Sequence, residues 1–254
     1  MKNSLMRVVI KIGFFLCTSF FYGQVETQNN NIWLHYVGKN KIANKTFFTL
    51  EATMRYTDWL GEKQQWFIRP SFDYQITPKL LGSVGYTHYN TYSYGDIPIN
   101  KRSIPEDHIW IQGTFTHHAK DFKFIHRLRD ENRFVSVAVK NAITNEYDID
   151  SYAYRNRVRY MFLMNYTLTQ KDDKAKLFAV LGDEVFVNLG TNAGKTFFNQ
   201  NRIIAGFGYN INSQNQIQLN YIQQHIWNFP NTIQEDNSTI RLSYITNLDF
   251  TKHK

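Results

Sequence analysis

The chain has 254 residues, of which 43% are hydrophobic and 20% are charged, so it suits one large domain and is too apolar to be disordered. One cysteine excludes a disulfide scaffold and a multi-cysteine metal site. The formal net charge is +8, and a mean hydropathy of −0.46 argues against a bundle of membrane-spanning helices.

The first 23 residues are typical of a secretory signal peptide. Three basic residues come before an apolar stretch at residues 12–22, and the small residue Gly23 follows it. A buried N-terminal helix is the alternative, but no residue caps it and a polar run follows. We predict that the signal is removed after Gly23 and that residues 24–254 form a single domain. That exported chain would have no cysteine, 26 basic and 21 acidic residues, and a net charge of +5.

Alternation of apolar and polar residues predicts strands through nearly all of the remaining chain. The alternating segments are residues 48–56, 65–76, 83–87, 108–116, 122–133, 154–166, 176–185, 202–209, 217–224 and 239–250. Residues 32–37 form an eleventh strand-like segment. Each segment has one face rich in aromatic and aliphatic side chains and one face rich in Arg, Glu, Gln and Thr.

Two architectures explain such strands: a soluble sandwich with an apolar core, and a transmembrane barrel with an apolar outer face and a polar lumen. The length of the segments, the aromatic residues near their ends and a final strand ending at Phe250 favour the barrel. We therefore predict an all-β fold, an antiparallel outer-membrane β-barrel of 10 to 12 strands with an arginine-rich lumen. The predicted location is the outer membrane of a Gram-negative bacterium.

Loop lengths alternate along the chain, which orients the predicted barrel. Tight turns are expected at residues 77–79, 120–121, 171–174 and 212–214, and long loops at residues 91–105, 137–151, 189–196 and 227–237. Short turns of such barrels face the periplasm and long loops face outward. Because bacterial single-chain barrels have even strand numbers, the eleven segments predict either ten strands, with residues 32–37 not spanning, or twelve, with one unrecognised.

Several phrases support a family resemblance. They are residues 106–112 (Glu-Asp-His-Ile-Trp-Ile-Gln), residues 126–134 (His-Arg-Leu-Arg-Asp-Glu-Asn-Arg-Phe), residues 157–160 (Arg-Val-Arg-Tyr) and residues 183–186 (Asp-Glu-Val-Phe). In these the chain resembles the bacterial family called domain of unknown function 2490, whose members look like outer-membrane barrels. Asp130 departs from the pattern, where an apolar residue is expected. The resemblance implies a fold and a location, but no chemistry.

The polar face concentrates charge. Ten arginines are predicted to face inward, at positions 55, 69, 127, 129, 133, 155, 157, 159, 202 and 241, with five acids at positions 51, 73, 106, 131 and 184. The predicted charge network, a candidate anion-binding site, consists of Arg127, Arg129, Glu131, Arg133, Arg155, Arg157, Arg159, Glu106, Glu184 and Arg202. It would either pack a narrow lumen through Arg–carboxylate bridges or bind and pass a phosphate, carboxylate or acidic-sugar solute.

Evidence for enzymatic chemistry is weak, and we predict no catalytic residues, metal or cofactor. His117 and His118 are consecutive and point to opposite faces, so they make a poor metal pair. His108 beside Glu106 is expected to be a hydrogen-bonded pair in the wall. Residues 206–208 (Gly-Phe-Gly) lie inside a strand, which excludes a nucleotide-binding loop.

Three classes of function remain: a narrow barrel or porin for small anionic solutes, a structural or envelope-assembly barrel with a closed lumen, and a barrel with an active site at its rim. The expected partners are outer-membrane lipids, lipopolysaccharide, small anionic solutes and the barrel-assembly machinery, which would read the strand ending at Phe250. Nucleic acid is not expected as a partner.

Overall fold

The alternating segments form the strands of a closed barrel. The computed structural model describes residues 25–144, 146–171 and 174–252. Its strands are β1 (Val25–Lys41), β2 (Thr46–Thr57), β3 (Glu62–Thr77), β4 (Leu80–Thr91), β5 (Ile104–Ala119), β6 (Phe122–Lys140), β7 (Tyr147–Lys171), β8 (Lys174–Leu189), β9 (Phe198–Asn210), β10 (Asn215–Trp227) and β11 (Ile233–Asp249). In the described residues, no helix is long and apolar enough to cross a membrane. The predicted signal at residues 1–23 lies outside them.

The all-β barrel is confirmed, and its strand number lies within the predicted range of 10 to 12, but the expectation of an even number was wrong. The described residues form eleven strands, and β1 is a full strand paired with β2 on one side and β11 on the other. Sequential hairpins make every other pair antiparallel, so an odd number of strands forces β1 and β11 to run in the same direction. The barrel is therefore mixed and not purely antiparallel.

The barrel has a short-turn end and a long-loop end. Tight turns join β3 to β4, β5 to β6, β7 to β8 and β9 to β10 at the short-turn end, where β11 also finishes. Two predicted long loops are shorter than expected, because the ladder of β6 and β7 continues to Lys140 and Tyr147, and β11 already begins at Ile233. β1 starts at the long-loop end, opposite the end at which β11 finishes.

The two faces of the wall follow the predicted alternation. Leu181, Leu219, Phe72 and Ile111 point outward and are exposed, and their neighbours of opposite parity point into the barrel. Asp130, the departure from the family pattern, also points outward, where its carboxylate accepts a hydrogen bond from Asn156 Nδ2 at 2.5 Å. The outward face is thus mostly apolar.

The interior is not uniformly polar, because large side chains also fill it. Trp33, Phe178, Val180, Ile204 and Ile222 form a buried apolar cluster between β1 and the strands β8 to β10. Two glycines make room for inward rings, since a Cβ on Gly208 would lie 2.1 Å from the Phe178 ring and a Cβ on Gly85 would lie 2.3 Å from the Trp110 ring. The apolar cluster leaves the charged side chains concentrated along β5, β6 and β7.

Candidate functional site

Strand register brings the arginines of β6 and β7 face to face. Arg129 lies directly opposite Arg159, and Arg133 lies directly opposite Arg155. Like charges in such positions repel each other. Between these two pairs, Glu131 lies opposite Arg157, so a carboxylate occupies the middle of the cluster.

Glu131 and Glu184 hold most of the predicted cluster together. Glu131 is fully buried and accepts hydrogen bonds from Arg157 at 2.6 and 2.9 Å and from Arg159 at 2.7 Å. Glu184 accepts from Arg159 at 2.7 Å and from Arg127 at 2.6 Å, and Arg202 lies 3.4 Å from its second oxygen. Arg159 therefore bridges the two carboxylates. We call these six residues, Arg127, Glu131, Arg157, Arg159, Glu184 and Arg202, the Glu131–Glu184 network.

Two further predicted residues pair beside this network. The Nε of Arg133 donates to Glu106, and the same carboxylate is hydrogen-bonded to His108. His108 also lies 4.0 Å from Glu131, which links this pair to the Glu131–Glu184 network. The expected Glu106–His108 wall pair is present.

Arg129 and Arg155 form no hydrogen bond with a carboxylate of the described residues. Arg129 donates to Gln112 at 2.8 Å and stacks on Trp110, while its nearest approach to Glu131 is 3.7 Å. Arg155 stacks on the ring of Phe229, 3.7 Å from its centroid, near the long-loop end. Strand register sets them opposite other arginines, so their side chains turn toward aromatic rings.

Among the described residues, three inward arginines make no ion pair with a carboxylate: Arg55, Arg155 and Arg241. Arg55 donates to Gln65 Oε1 at 2.6 Å and stacks on Trp33, and its Nε is buried without a hydrogen-bond acceptor. Arg241 donates to Asn220 at 3.2 Å, and its Nε is also buried without an acceptor. We call these three the carboxylate-free arginines. Their charges are available to an anion.

Sequence reasoning left a second charged cluster out of the candidate site. Arg69 donates to Glu51 at 2.7 Å and to the Tyr89 hydroxyl, and His35 Nε2 lies 3.1 Å from the same carboxylate. Glu51 and Arg69 were assigned to the inward face, but His35 and Tyr89 were not. The parity of residues 33–37 and 85–89 was the signal that could have identified them.

The sequence patterns also failed to identify the aromatic side chains that point into the barrel. Phe67, Phe186 and Trp33 lie beneath the guanidinium groups of several arginines, with centroid distances from 4.0 to 5.3 Å. Stacking of this kind stabilises a guanidinium while leaving its N–H groups free at the edge. The interior is therefore held together by contacts between guanidinium groups and aromatic rings as well as by salt bridges.

Three cavities follow one another along the lumen. The outer cavity, at the long-loop end, has a volume of about 460 Å³, the central cavity about 280 Å³ and the inner cavity, toward the short-turn end, about 220 Å³. Arg55, Arg133 and Arg157 line both the outer and the central cavity, whereas Glu51 and Arg127 line both the central and the inner cavity. Because these residues each line two cavities, the outer cavity adjoins the central one and the central cavity adjoins the inner one.

Positive charge dominates the described lining of each cavity. The outer cavity is lined by six arginines and one carboxylate, that of Glu106. The central cavity has eight arginines and three carboxylates, and the inner cavity has three arginines, one lysine and two carboxylates. The excess of positive charge is therefore greatest in the outer and central cavities.

A loop between β4 and β5 folds back over the outer cavity. Tyr94 is buried there and donates its hydroxyl hydrogen to Glu235 at 2.7 Å, while the backbone N–H of Gly95 donates to Glu62 at 3.0 Å. Burial, together with the nearby Glu235 carboxylate, raises the pKa of Tyr94 well above its usual value. The phenol therefore stays protonated and keeps its role as donor.

Three imidazoles on the outward face each make one polar side-chain contact. His88 lies 2.8 Å from Asp107, His225 is hydrogen-bonded to Asp236, and His126 lies 2.8 Å from the Tyr160 hydroxyl. Within the described ranges, no group of three or more His, Cys, Asp or Glu side chains is arranged to hold a metal. These pairs add no further site.

Comparison with known families is consistent with the resemblance seen in the sequence phrases. The profile of the family described as "Protein of unknown function (DUF2490)" matches residues 30–235. The chain belongs to this family. The matched region of this DUF2490 member spans β1 to the start of β11 and so contains every residue of the Glu131–Glu184 network.

Comparison with individual proteins gives less information than the family profile. No curated protein matches the chain. One solved structure that matches this DUF2490 member is titled "NanC porin structure in rhombohedral crystal form"; it is 8% identical, covers 80% of this chain and 93% of that chain, and has a TM-score of 0.41.

Proposed function

We propose that this DUF2490 member is an outer-membrane barrel whose lumen binds small anionic solutes and passes them between the long-loop and the short-turn ends. One observation carries the proposal: three adjoining cavities run along the lumen, and arginine outnumbers carboxylate in the described lining of each. Rings of basic side chains select anions in pores. The carboxylate-free arginines supply donors that no carboxylate of the described residues occupies.

The wall of the barrel supports the proposed location in the outer membrane. Apolar side chains such as Leu219 and Phe72 cover the outward face, and a closed barrel leaves no unpaired strand edge for lipid to meet. Proposed partners are outer-membrane lipids and lipopolysaccharide at the apolar face. The assembly machinery is proposed to read the C-terminal strand, although β11 ends at Asp249 and Phe250 begins a short 3-10 turn. The signal peptide remains a prediction, and we assign the lumen charges no catalytic role.

A structural barrel with a closed lumen is the second candidate. Complete burial of Glu131 and near-complete burial of Glu184 favour it, because an ion-pair network of this kind can fill a narrow barrel by itself. In this alternative the arginines pack the interior and no solute crosses.

Conductance in planar bilayers distinguishes the two. Purified barrel is inserted into a bilayer across a KCl gradient, and the reversal potential is measured. The pore proposal expects a conductance selective for chloride and a lower chloride preference in Arg241→Gln, which loses a carboxylate-free arginine of the central cavity. Lys79→Gln, which removes an exposed charge from a short turn, is the control. Absence of conductance would overturn the pore and leave the closed barrel, whereas a cation-selective conductance would overturn both the anion pore and the closed barrel.

A further inference from the structure

We infer that the outer cavity is a binding site for organic dianions that carry an apolar ring or chain. This rests on the proposed function and deepens it, because it names the chemistry of the solute. The cavity of about 460 Å³ is within the size range of small-molecule sites in proteins.

The outer cavity favours a ligand with two negative charges because arginines of its wall have no carboxylate partner. Arg55 and Arg155, both on strands of the wall, line the outer cavity, and neither makes an ion pair with a carboxylate of the described residues. Arg102, in the loop between β4 and β5, lines the same cavity without such a pair and lies over the ring of Tyr147. The guanidinium carbon of each lies over a ring, that of Arg55 at 4.0 Å from the centroid of Trp33 and that of Arg155 at 3.7 Å from the centroid of Phe229. A stacked guanidinium keeps its planar fork of N–H groups directed sideways, where a carboxylate or phosphate accepts two parallel hydrogen bonds.

Further arginines in the lining add to the positive charge of the cavity. Arg133, Arg157 and Arg202 also line the cavity and already share Glu106, Glu131 and Glu184 with other groups. Because only Glu106 among the described acids lines the cavity itself, a monoanion would leave the lining strongly positive. A dianion compensates more of this charge at the same cost in solute volume.

The requirement for an apolar portion comes from the remaining walls. Ile99, Ile104, Val135, Ile226 and Phe229 line the same cavity beside the arginines. Inorganic phosphate or sulfate would satisfy the charge but leave this apolar surface in contact with water. A ring or short hydrocarbon chain between two anionic groups covers it, so the two features select one class of ligand together.

Equilibrium binding to the full barrel in detergent tests the inference, with isophthalate as the probe. Benzoate, which has the same ring and one charge, and sulfate, which has two charges and no apolar portion, are the ligand controls. Isophthalate is expected to bind at least about tenfold more tightly than either, a difference of the size that one well-placed charged hydrogen bond supplies. Titration calorimetry gives the three dissociation constants.

Variants locate the site. Arg155→Gln and Arg55→Gln are each expected to weaken isophthalate binding about tenfold or more. Neither arginine takes part in an ion pair of the described residues, so both variants are expected to fold, which retention of the β-sheet circular dichroism signal checks. Lys79→Gln, a loss of one exposed charge at the opposite end, should bind as the unchanged protein does.

Two results would overturn the inference: equal affinity for isophthalate and benzoate, or unchanged affinity in both arginine variants. Either result is compatible with a chloride-selective conductance, so the dianion site can fail while the proposed pore survives. A barrel that binds isophthalate but does not conduct would retain the site and reject the pore.

Discussion

At the scale of single residues, the arrangement of charge follows from strand register. The alternation places Arg129, Glu131 and Arg133 on one face of β6, and the hairpin to β7 sets them against Arg159, Arg157 and Arg155. The repulsion within this patch is reduced because Glu131 lies at its centre. A buried carboxylate that two guanidinium groups share is much more costly to neutralise than one that water can reach.

Glu131→Gln should therefore destabilise the barrel. The substitution keeps the size of the side chain but leaves Arg157 and Arg159 without the negative charge they share, and breaking a buried ion pair costs about 3–5 kcal/mol. Added phosphate or sulfate should partly restore stability, because either anion can accept the freed hydrogen bonds. Thermal unfolding, followed by circular dichroism with and without sulfate, measures both effects.

The neighbouring residue provides a matched control. Asp130→Asn makes the same chemical change one position away, on the outward face, where the carboxylate contacts an amide and no arginine of the described residues. Its cost should stay below about 1 kcal/mol, as for other partly exposed charges, and sulfate should not alter it. Equal melting temperatures for the two variants, or a Glu131→Gln barrel indifferent to sulfate, would show that Glu131 does not hold the cluster.

Part of this site could be predicted from the sequence. Parity along β6 and β7 identifies which charges share a face, and the hairpin makes them neighbours. Parity does not give the partner of each arginine, because that depends on side-chain length and on strands distant in sequence; Arg127 reaches Glu184 on β8, and Arg155 reaches Phe229 in a loop. The contact of Tyr94 with Glu235, 141 positions apart, had no local signal.

At the scale of strands, the adjacent residues Gln218 and Leu219 of β10 test which face meets lipid. Leu219 points outward and is 54% exposed, whereas Gln218 lines the central cavity. Leu219→Arg should cost about 2–4 kcal/mol in a membrane, where the guanidinium would enter hydrocarbon. Gln218→Arg should cost much less, because it adds a polar group to a polar lumen.

The measurement is the free energy of unfolding of the barrel refolded into lipid vesicles. Leu181→Arg on β8 and Phe162→Arg on β7 repeat the outward substitution on other strands. Similar costs on both faces would mean that the outward face does not meet lipid and that the barrel belongs in water.

At the scale of the whole molecule, the closure between β1 and β11 was the feature that sequence patterns predicted least well. Periodicity finds strands but does not state how the first meets the last, and the expectation of an even number rested on other barrels. The register Asn30↔Ser238 and Leu34↔Leu242 is parallel, so β1 completes the ring without a twelfth strand. Trp33, on the inward face of this strand, lies under Arg55 and Arg202. Closure by β1 is therefore also what supports two arginines of the lumen.

A disulfide across the seam tests this closure. Asn30→Cys and Ser238→Cys place thiols on directly paired positions, within the 4.4–6.8 Å between Cα atoms that a disulfide requires. Oxidation of the double variant should form an internal cross-link, seen as a reductant-sensitive shift in gel mobility and identified by mass spectrometry of the linked peptides. Asn30→Cys with Leu242→Cys is the control, because Leu242 lies four residues farther along β11, about 13 Å away, and should not cross-link. A twelfth strand between β1 and β11 would separate the paired positions by about 9–10 Å, too far for a disulfide. Absence of the first cross-link would therefore reject the ring of eleven strands. It would also reject the support that Trp33 gives to the arginines of the lumen.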